Sequence, residues 1–311
     1  MAPLKIKIVY NNIKELLKLC NTPTTIISPY PFFAIAIFLI SRNNFNYNGV
    51  NFLLIGIAVT LLSNFASNLW NHCNDLKEDV AQGKKTILTE EPHFQKIAII
   101  IAIFLYITSI LVVYRVSLDV ERPILRYFLL WALATWCYSD NFIFKKLTGF
   151  RLKEHYLGEL LTYGIAWPMF TLSTWLIYSD ITSTCIIILA AFLLFSISGL
   201  LLKDLKDISG DRKAGLKTLG VVFSPSKLIK YSCYLMLIYY FIILTAITIN
   251  IFNMGILIMA IPLYYFLKNT FIHMYRKKWT LDVGDLNALK SLGYSAYASV
   301  FFLGISTFFK F

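Results

Sequence analysis

The sequence predicts an all-α protein: a polytopic membrane bundle of nine transmembrane helices around a central cavity, with loops capping it on the cytoplasmic side. Three observations carry that expectation. Of 311 residues, 58% are hydrophobic and only 15% charged, where a soluble domain has about 45–50% apolar and 25% charged residues. Apolar runs recur along the chain, most close to the roughly 20 residues a helix needs to cross a bilayer. The basic residues collect in every second connection between those runs. A single integral membrane domain over 1–311 accounts for the whole sequence.

The runs fall at 24–41, 50–70, 96–114, 123–142, 156–178, 181–202, 228–251, 254–272 and 291–309. Ahead of the first, residues 1–22 place Lys5, Lys7, Lys14 and Lys18 among apolar positions. That stretch reads as an amphipathic helix lying in the interface. A cleaved signal peptide is not expected, because no small-residue cleavage site follows the first run and further spans come after it.

The formal net charge is +12, and its distribution sets an orientation. The N-terminal arm and the 2–3, 4–5, 6–7 and 8–9 connections, with their flanks, hold 24 of the 29 Lys and Arg. Arg42, Arg115, Arg122, Arg126 and Lys310 are left for the other side. The positive-inside rule then makes the N-terminus and the basic loops cytoplasmic. A basic face suits anionic head groups or an anionic substrate. Nucleic acid is not an expected partner, since its binding domains are soluble with basic stripes on solvated surfaces. The five cysteines lack CxxC spacing and the four histidines form no ligand pattern, which argues against disulfides or zinc.

The longest polar stretches, 71–95, 143–155, 203–227 and 273–290, all belong to the basic side. Long ordered loops are usually functional. The first stretch opens with an acidic motif. Asn64, Asn68, Asn71, Asp75 and Asp79 are spaced 4, 3, 4 and 4, which puts them on one helical face. A polar stripe entering a membrane span faces the bundle interior. Carboxylates with an amide oxygen are hard donors suited to Mg²⁺, which often bridges carboxylates and substrate phosphates. Taken alone, the stripe also fits a wetted helix end capped by Asp and Asn.

The third stretch opens with a second motif. Asp204, Asp207 and Asp211 are spaced 3 and 4 and can share one face. Gly210 and Gly215 are expected to loosen the chain into a loop, and Arg212, Lys213 and Lys217 follow. Acids beside bases make sense if both hold one ligand, the acids through metal and the bases through phosphate oxygens. Taken alone, this too fits a charged loop with its ions paired in water. Two such clusters on one side, four spans apart, make the stronger pattern. An allylic diphosphate ionises by losing diphosphate, and metal ions held by opposed carboxylates stabilise the charge on the leaving group. The cation must be kept from water in a dry, aromatic-lined cavity. The chain has 25 Phe, 19 Tyr and 6 Trp, although aromatics also furnish the interface belts of membrane helices.

At these residues the chain resembles the UbiA family of intramembrane prenyltransferases. That family has nine transmembrane helices and two motifs, about NDxxDxxxD and DxxxD, at the cytoplasmic ends of helices 2 and 6. Asn71-x-x-x-Asp75-x-x-x-Asp79 is similar to the first, with His72 where many members carry aspartate. Asp207-Ile208-Ser209-Gly210-Asp211-Arg212 is similar to the second, with Asp204 as an additional acid. The resemblance implies a Mg²⁺ cofactor held by Asn71, Asp75, Asp79, Asp204, Asp207 and Asp211. It implies a polyprenyl diphosphate donor, with Lys84, Lys85, Lys145, Lys153 and Arg212 as diphosphate candidates. The family also has a Tyr and a basic residue in the 4–5 loop, matched here by Tyr138 and best by Lys153. Glu159 orients the acceptor or accepts a proton in this reading, and in the plainer one is a favourable helix N-terminal charge. Asn68-Leu69-Trp70-Asn71 and Gly158-Glu159 are similar to the menaquinone-forming branch. They point to a small, aromatic, quinone-precursor acceptor.

Three other functions compete. A prenylated glycerol phosphate would replace the aromatic acceptor in ether-lipid synthesis. A membrane terpene cyclase of the same family would need no acceptor. A cation-coupled transporter would use intramembrane acids for transport, but carriers place such sites near the midplane on broken helices, and these acids sit at helix ends.

Overall fold

A computed structural model describes residues 12, 14–20, 30–42, 47–81 and 83–309; the side chains of Arg42, Tyr47, Asp204, Lys206, Asp207 and Val283 also lie outside the described residues. Each predicted apolar run contains a helix. The long helices are α1 (Tyr30–Arg42), α2 (Tyr47–Asn74), α3 (Phe94–Asp119), α4 (Ile124–Ser139), α5 (Tyr156–Tyr178), α6 (Ser183–Lys213) and α7 (Pro225–Thr245). An irregular helical stretch, α8 (Met254–Arg276), and α9 (Leu286–Ile305) follow. Among the described residues, six of these (α2, α3, α5, α6, α7 and α8) are long and apolar enough to cross a membrane, and α1 is a shorter apolar helix.

α3 illustrates why these sequences form membrane helices. Ile97, Ile100, Phe104, Ile107, Leu111, Tyr114 and Leu118 are exposed, on one face at 3- and 4-residue spacing. Ala98, Ala102, Ser109 and Val113 fill the opposite, buried face. Large apolar groups outside, and a buried face that is mostly small apart from Tyr106, suit a helix whose outer medium is lipid.

Small and hydroxyl-bearing residues also join the other helices. Ser198 of α6 and Ser232 of α7 lie 2.8 Å apart through their hydroxyls. Tyr239 of α7 and Ser299 of α9 do so at 2.9 Å. A Cβ on Gly304 of α9 would sit 3.1 Å from the Ala36 backbone of α1. Consecutive helices from α1 to α7 pack on one another, and α9 returns to pack on α1.

Two departures from the sequence expectations matter. α6 runs past its apolar stretch to Lys213, so the second acidic motif keeps the helical backbone its spacing predicts; Gly210, expected to loosen the chain, lies inside the helix, and the turn comes at Gly215, where φ is +73. α8 is built of 3₁₀, α, π and α segments in succession. Of the predicted interfacial helix, residues 14–20 are helical, with Leu16, Leu19 and Cys20 buried. Lys5 and Lys7 lie outside the described residues.

Candidate active site

α2 ends at Asn74, and the chain resumes a short helix, Leu76–Ala81, after Asp75. The helical spacing survives the break. Asp75 N–H donates to Asn71 O at 2.9 Å and Asp79 N–H to Asp75 O at 2.8 Å. Asn71, Asp75 and Asp79 therefore stay on one face. Both carboxylates are buried, 8% and 5% exposed. Burial alone would raise the Asp79 carboxyl, but His72 and Lys84 outweigh it and hold it below the usual carboxylate range. Lys84 Nζ lies 3.0 Å from Asp79 Oδ1, and His72 Nδ1 lies 3.5 Å from Oδ2. Asn71 accepts a hydrogen bond from the Ser139 hydroxyl. Asn68 donates to Cys20 O at 3.1 Å and to Asn64 at 3.0 Å, tying the N-terminal helix to α2.

The 4–5 loop folds over this end of α2. Buried Asp140 accepts the backbone N–H groups of Phe142, Ile143 and Phe144. Asn141 donates its backbone N–H to the Asn74 side chain at 2.8 Å. After a left-handed turn at Gly149, φ +84, the chain delivers Arg151, which is only 2% exposed. Its guanidinium donates to Glu154 at 2.8 Å and to Asn74 O at 3.2 Å, and pairs with Glu78. It also lies 3.6 Å from Asp75 Oδ1, an oxygen that Lys153 Nζ contacts as well. Lys145 holds the other end of this chain of charges, donating to Glu154 at 2.6 Å. Burial opposes the charge on Arg151, but its Glu78, Glu154 and Asp75 partners raise its pKa; burial likewise opposes ionisation of Glu154, and Lys145 and Arg151 lower its pKa.

The same loop joins the second motif. Lys217 N–H donates to Glu154 O at 2.9 Å and Tyr156 N–H to Lys217 O at 2.8 Å. A Cβ on Gly158 would collide with Leu152 O, so a glycine is needed where α5 meets the loop. Glu159, 2% exposed, accepts the Leu219 N–H at 2.9 Å and the Tyr138 hydroxyl at 3.4 Å. Lys203 Nζ lies 3.4 Å from the Tyr138 hydroxyl. Asp211 accepts the Thr218 hydroxyl at 2.9 Å. Arg212 and Lys85 are exposed. Asp204 and Asp207 are on α6, with side chains outside the described residues.

The short helix bearing Asp79 packs against α6. The end of α2, the 4–5 loop and the segment after α6 are therefore gathered at one end of the bundle, bringing the backbones of both motifs together.

The donors suit Mg²⁺. They are carboxylate and amide oxygens, with no sulfur, and Lys84 and Lys153 stand beside them to meet an anion. Among the described residues no three His, Cys, Asp or Glu side chains cluster tightly enough to hold a metal by themselves.

Arg151 was absent from the sequence-derived site residues, as were Asn74, Ser139 and Thr218. The only sequence hint for Arg151 is its i,i+3 spacing to Glu154, ordinary in a basic loop. Its remaining partners, Asn74, Asp75 and Glu78, come from the end of α2 and the short helix after it.

A sequence model of the UbiA prenyltransferase family matches residues 30–282. An uncharacterised protein of Archaeoglobus fulgidus is 30% identical over 283 residues, which are 91% of this chain and 95% of that protein. A solved structure from work on digeranylgeranylglyceryl phosphate synthase in membranes superimposes with a TM-score of 0.63 at 16% identity, covering 95% of this chain and 98% of that one. A UbiA homologue from Archaeoglobus fulgidus bound to GPP and Mg²⁺ is similar at 0.63 and 16%, covering 96% and 98%. The same organism's UbiA homologue bound to DMAPP and Mg²⁺ gives 0.55 and 14%, covering 95% and 97%.

Proposed function

The chain belongs to the UbiA prenyltransferase family, and on that premise we propose that it transfers a prenyl group from a polyprenyl diphosphate to a small acceptor, releasing diphosphate, with Mg²⁺ as cofactor. It is an integral, multi-pass membrane protein and an enzyme of prenyl transfer. In our reading one domain spans 1–311, and the N-terminus and the site's loops face the cytoplasm.

One observation carries the site assignment: the helical turn bearing Asp79 packs on the helix bearing Asp204, Asp207 and Asp211. Asn71, Asp75 and Asp79 supply one set of metal ligands and the α6 aspartates the other. Bound Mg²⁺ would offset the charge that builds on the diphosphate as its C–O bond breaks. Lys84, Lys85, Lys153 and Arg212 bind or steer the diphosphate through its oxygens, while Lys145 braces Glu154. Tyr138 sits between Lys203 and Glu159, its hydroxyl 3.4 Å from each. It fixes the wall of the site between the two motifs.

The acceptor is a small aromatic quinone precursor in this reading, supported by the Asn68–Asn71 stretch and Gly158-Glu159. A second reading, transfer to a prenylated glycerol phosphate, draws on the likeness to the structure from work on digeranylgeranylglyceryl phosphate synthase. Purified protein given Mg²⁺, labelled geranylgeranyl or farnesyl diphosphate and each acceptor class decides between them. The aromatic reading expects a prenylated aromatic product. Product only with the glycerol phosphate would establish the second reading. A cyclised product from the diphosphate alone would mean cyclisation and would overturn both.

A further inference from the structure

We propose that Arg151 is a positioning residue that holds the Asp75 carboxylate in place for the metal. This inference rests on the reading of Asp75 as a metal ligand. Arg151 is among the largest fully buried side chains in the protein, although it carries a full charge. A buried cation is tolerated only when well paired, and each of its nitrogens has a partner. Nε donates to Glu154 at 2.8 Å, Nη1 donates to Asn74 O at 3.2 Å, and Nη2 pairs with Glu78. Asn74, Asp75 and Glu78 form the turn that continues α2 into the first motif. The guanidinium thereby locks that turn to the 4–5 loop.

Asp75 receives a different treatment. Arg151 Nη1 stands 3.6 Å from its Oδ1, outside ordinary hydrogen-bond range. At that distance the guanidinium braces the carboxylate by charge without adding a directional bond of its own; the close cation on that oxygen is Lys153. Glu154, gripped by both Arg151 and Lys145, keeps the guanidinium from swinging towards Asp75. A planar guanidinium serves three acceptors from one fixed fork, whereas a lysine ammonium is a point charge on a flexible stem. The role is therefore specific to arginine.

The test uses the full chain in detergent, with Mg²⁺ binding measured by calorimetry in the presence of inorganic diphosphate, and turnover measured across a Mg²⁺ series. Groups that orient metal ligands typically affect metal affinity about 10–100-fold. Arg151→Lys should weaken Mg²⁺ binding about tenfold, and its turnover should recover as Mg²⁺ is raised. Glu78→Gln, which leaves the buried cation in place, should shift the Mg²⁺ requirement in the same direction. Wild-type Mg²⁺ affinity in both variants, alongside loss of binding in Asp75→Asn, would overturn the proposal while sparing the metal site. So would a loss of turnover in Arg151→Lys that no Mg²⁺ concentration restores. Unchanged Mg²⁺ binding in Asp75→Asn would remove the metal-site reading itself and this inference with it.

Discussion

Leu219 donates its backbone N–H to the Glu159 carboxylate at 2.9 Å. This bond connects the first turn of α5 to the segment after the second acidic motif, where Thr218 also holds Asp211. Glu159 thus ties α5 to that segment, and in the proposed site it would act by fixing the walls. Glu159→Ala should leave the Leu219 N–H buried without an acceptor, a loss of about 1–3 kcal/mol, seen as a lowered melting temperature in detergent. Turnover should fall about tenfold or more, as for other residues that orient ligands. Glu159→Gln, which keeps an acceptor oxygen, should lose less of both.

Asp79 gives the site an acid limit. Its folded-state pKa lies below the unfolded value, because His72 and Lys84 outweigh burial. A carboxyl shifted this way stabilises the fold above its unfolded pKa, near 3.9. That contribution is lost as pH falls through the lower folded value. Wild-type thermal stability should therefore decline below about pH 4. Asp79→Asn should be less stable at neutral pH and show a flatter decline, measured by scanning fluorimetry between neutral and acid pH. Asp285, held well below the usual carboxylate range chiefly by Lys277 and His273, should behave in the same sense.

A third prediction concerns the far end of the bundle. The Tyr178 hydroxyl is buried and has no hydrogen-bond partner among the described residues, and a Cβ on Gly56 would collide with it. Tyr178→Phe should raise the melting temperature, since an unsatisfied buried polar group costs about 1–3 kcal/mol. Gly56→Ala should lower it by about 1–3 kcal/mol of overpacking. Combining the two should recover much of that loss. Additive effects would contradict the contact.

The apolar runs were legible because lipid imposes a long, continuous requirement on each span, and each run contains a helix. The polar face of Asn71, Asp75 and Asp79 was legible too, because helical spacing persists across the break at Asp75. The helical spacing of Asp204, Asp207 and Asp211 was legible in the same way, but the point where α6 ends was not. Gly210 reads as a breaker, yet it lies buried inside a helix that runs to Lys213. Tertiary packing there outweighs an intrinsic penalty of only about 1 kcal/mol. Arg151 was invisible for another reason. Its importance comes from Asn74 and Glu78, more than 70 positions away in sequence, and nothing local distinguishes it from neighbouring loop cations. Lys145 shows the converse: it stands out as a loop cation, but its ammonium lies 2.6 Å from Glu154.

The most direct measurement of the central claim is diphosphate release from labelled geranylgeranyl diphosphate in the presence of the acceptor, by wild type, Asp75→Asn and Asp207→Asn, each with Mg²⁺ and with EDTA. The expected result is release by wild type only when Mg²⁺ is present, and none from either variant although both elute and melt as folded protein. Wild-type release from either variant, or undiminished release in EDTA, would contradict it.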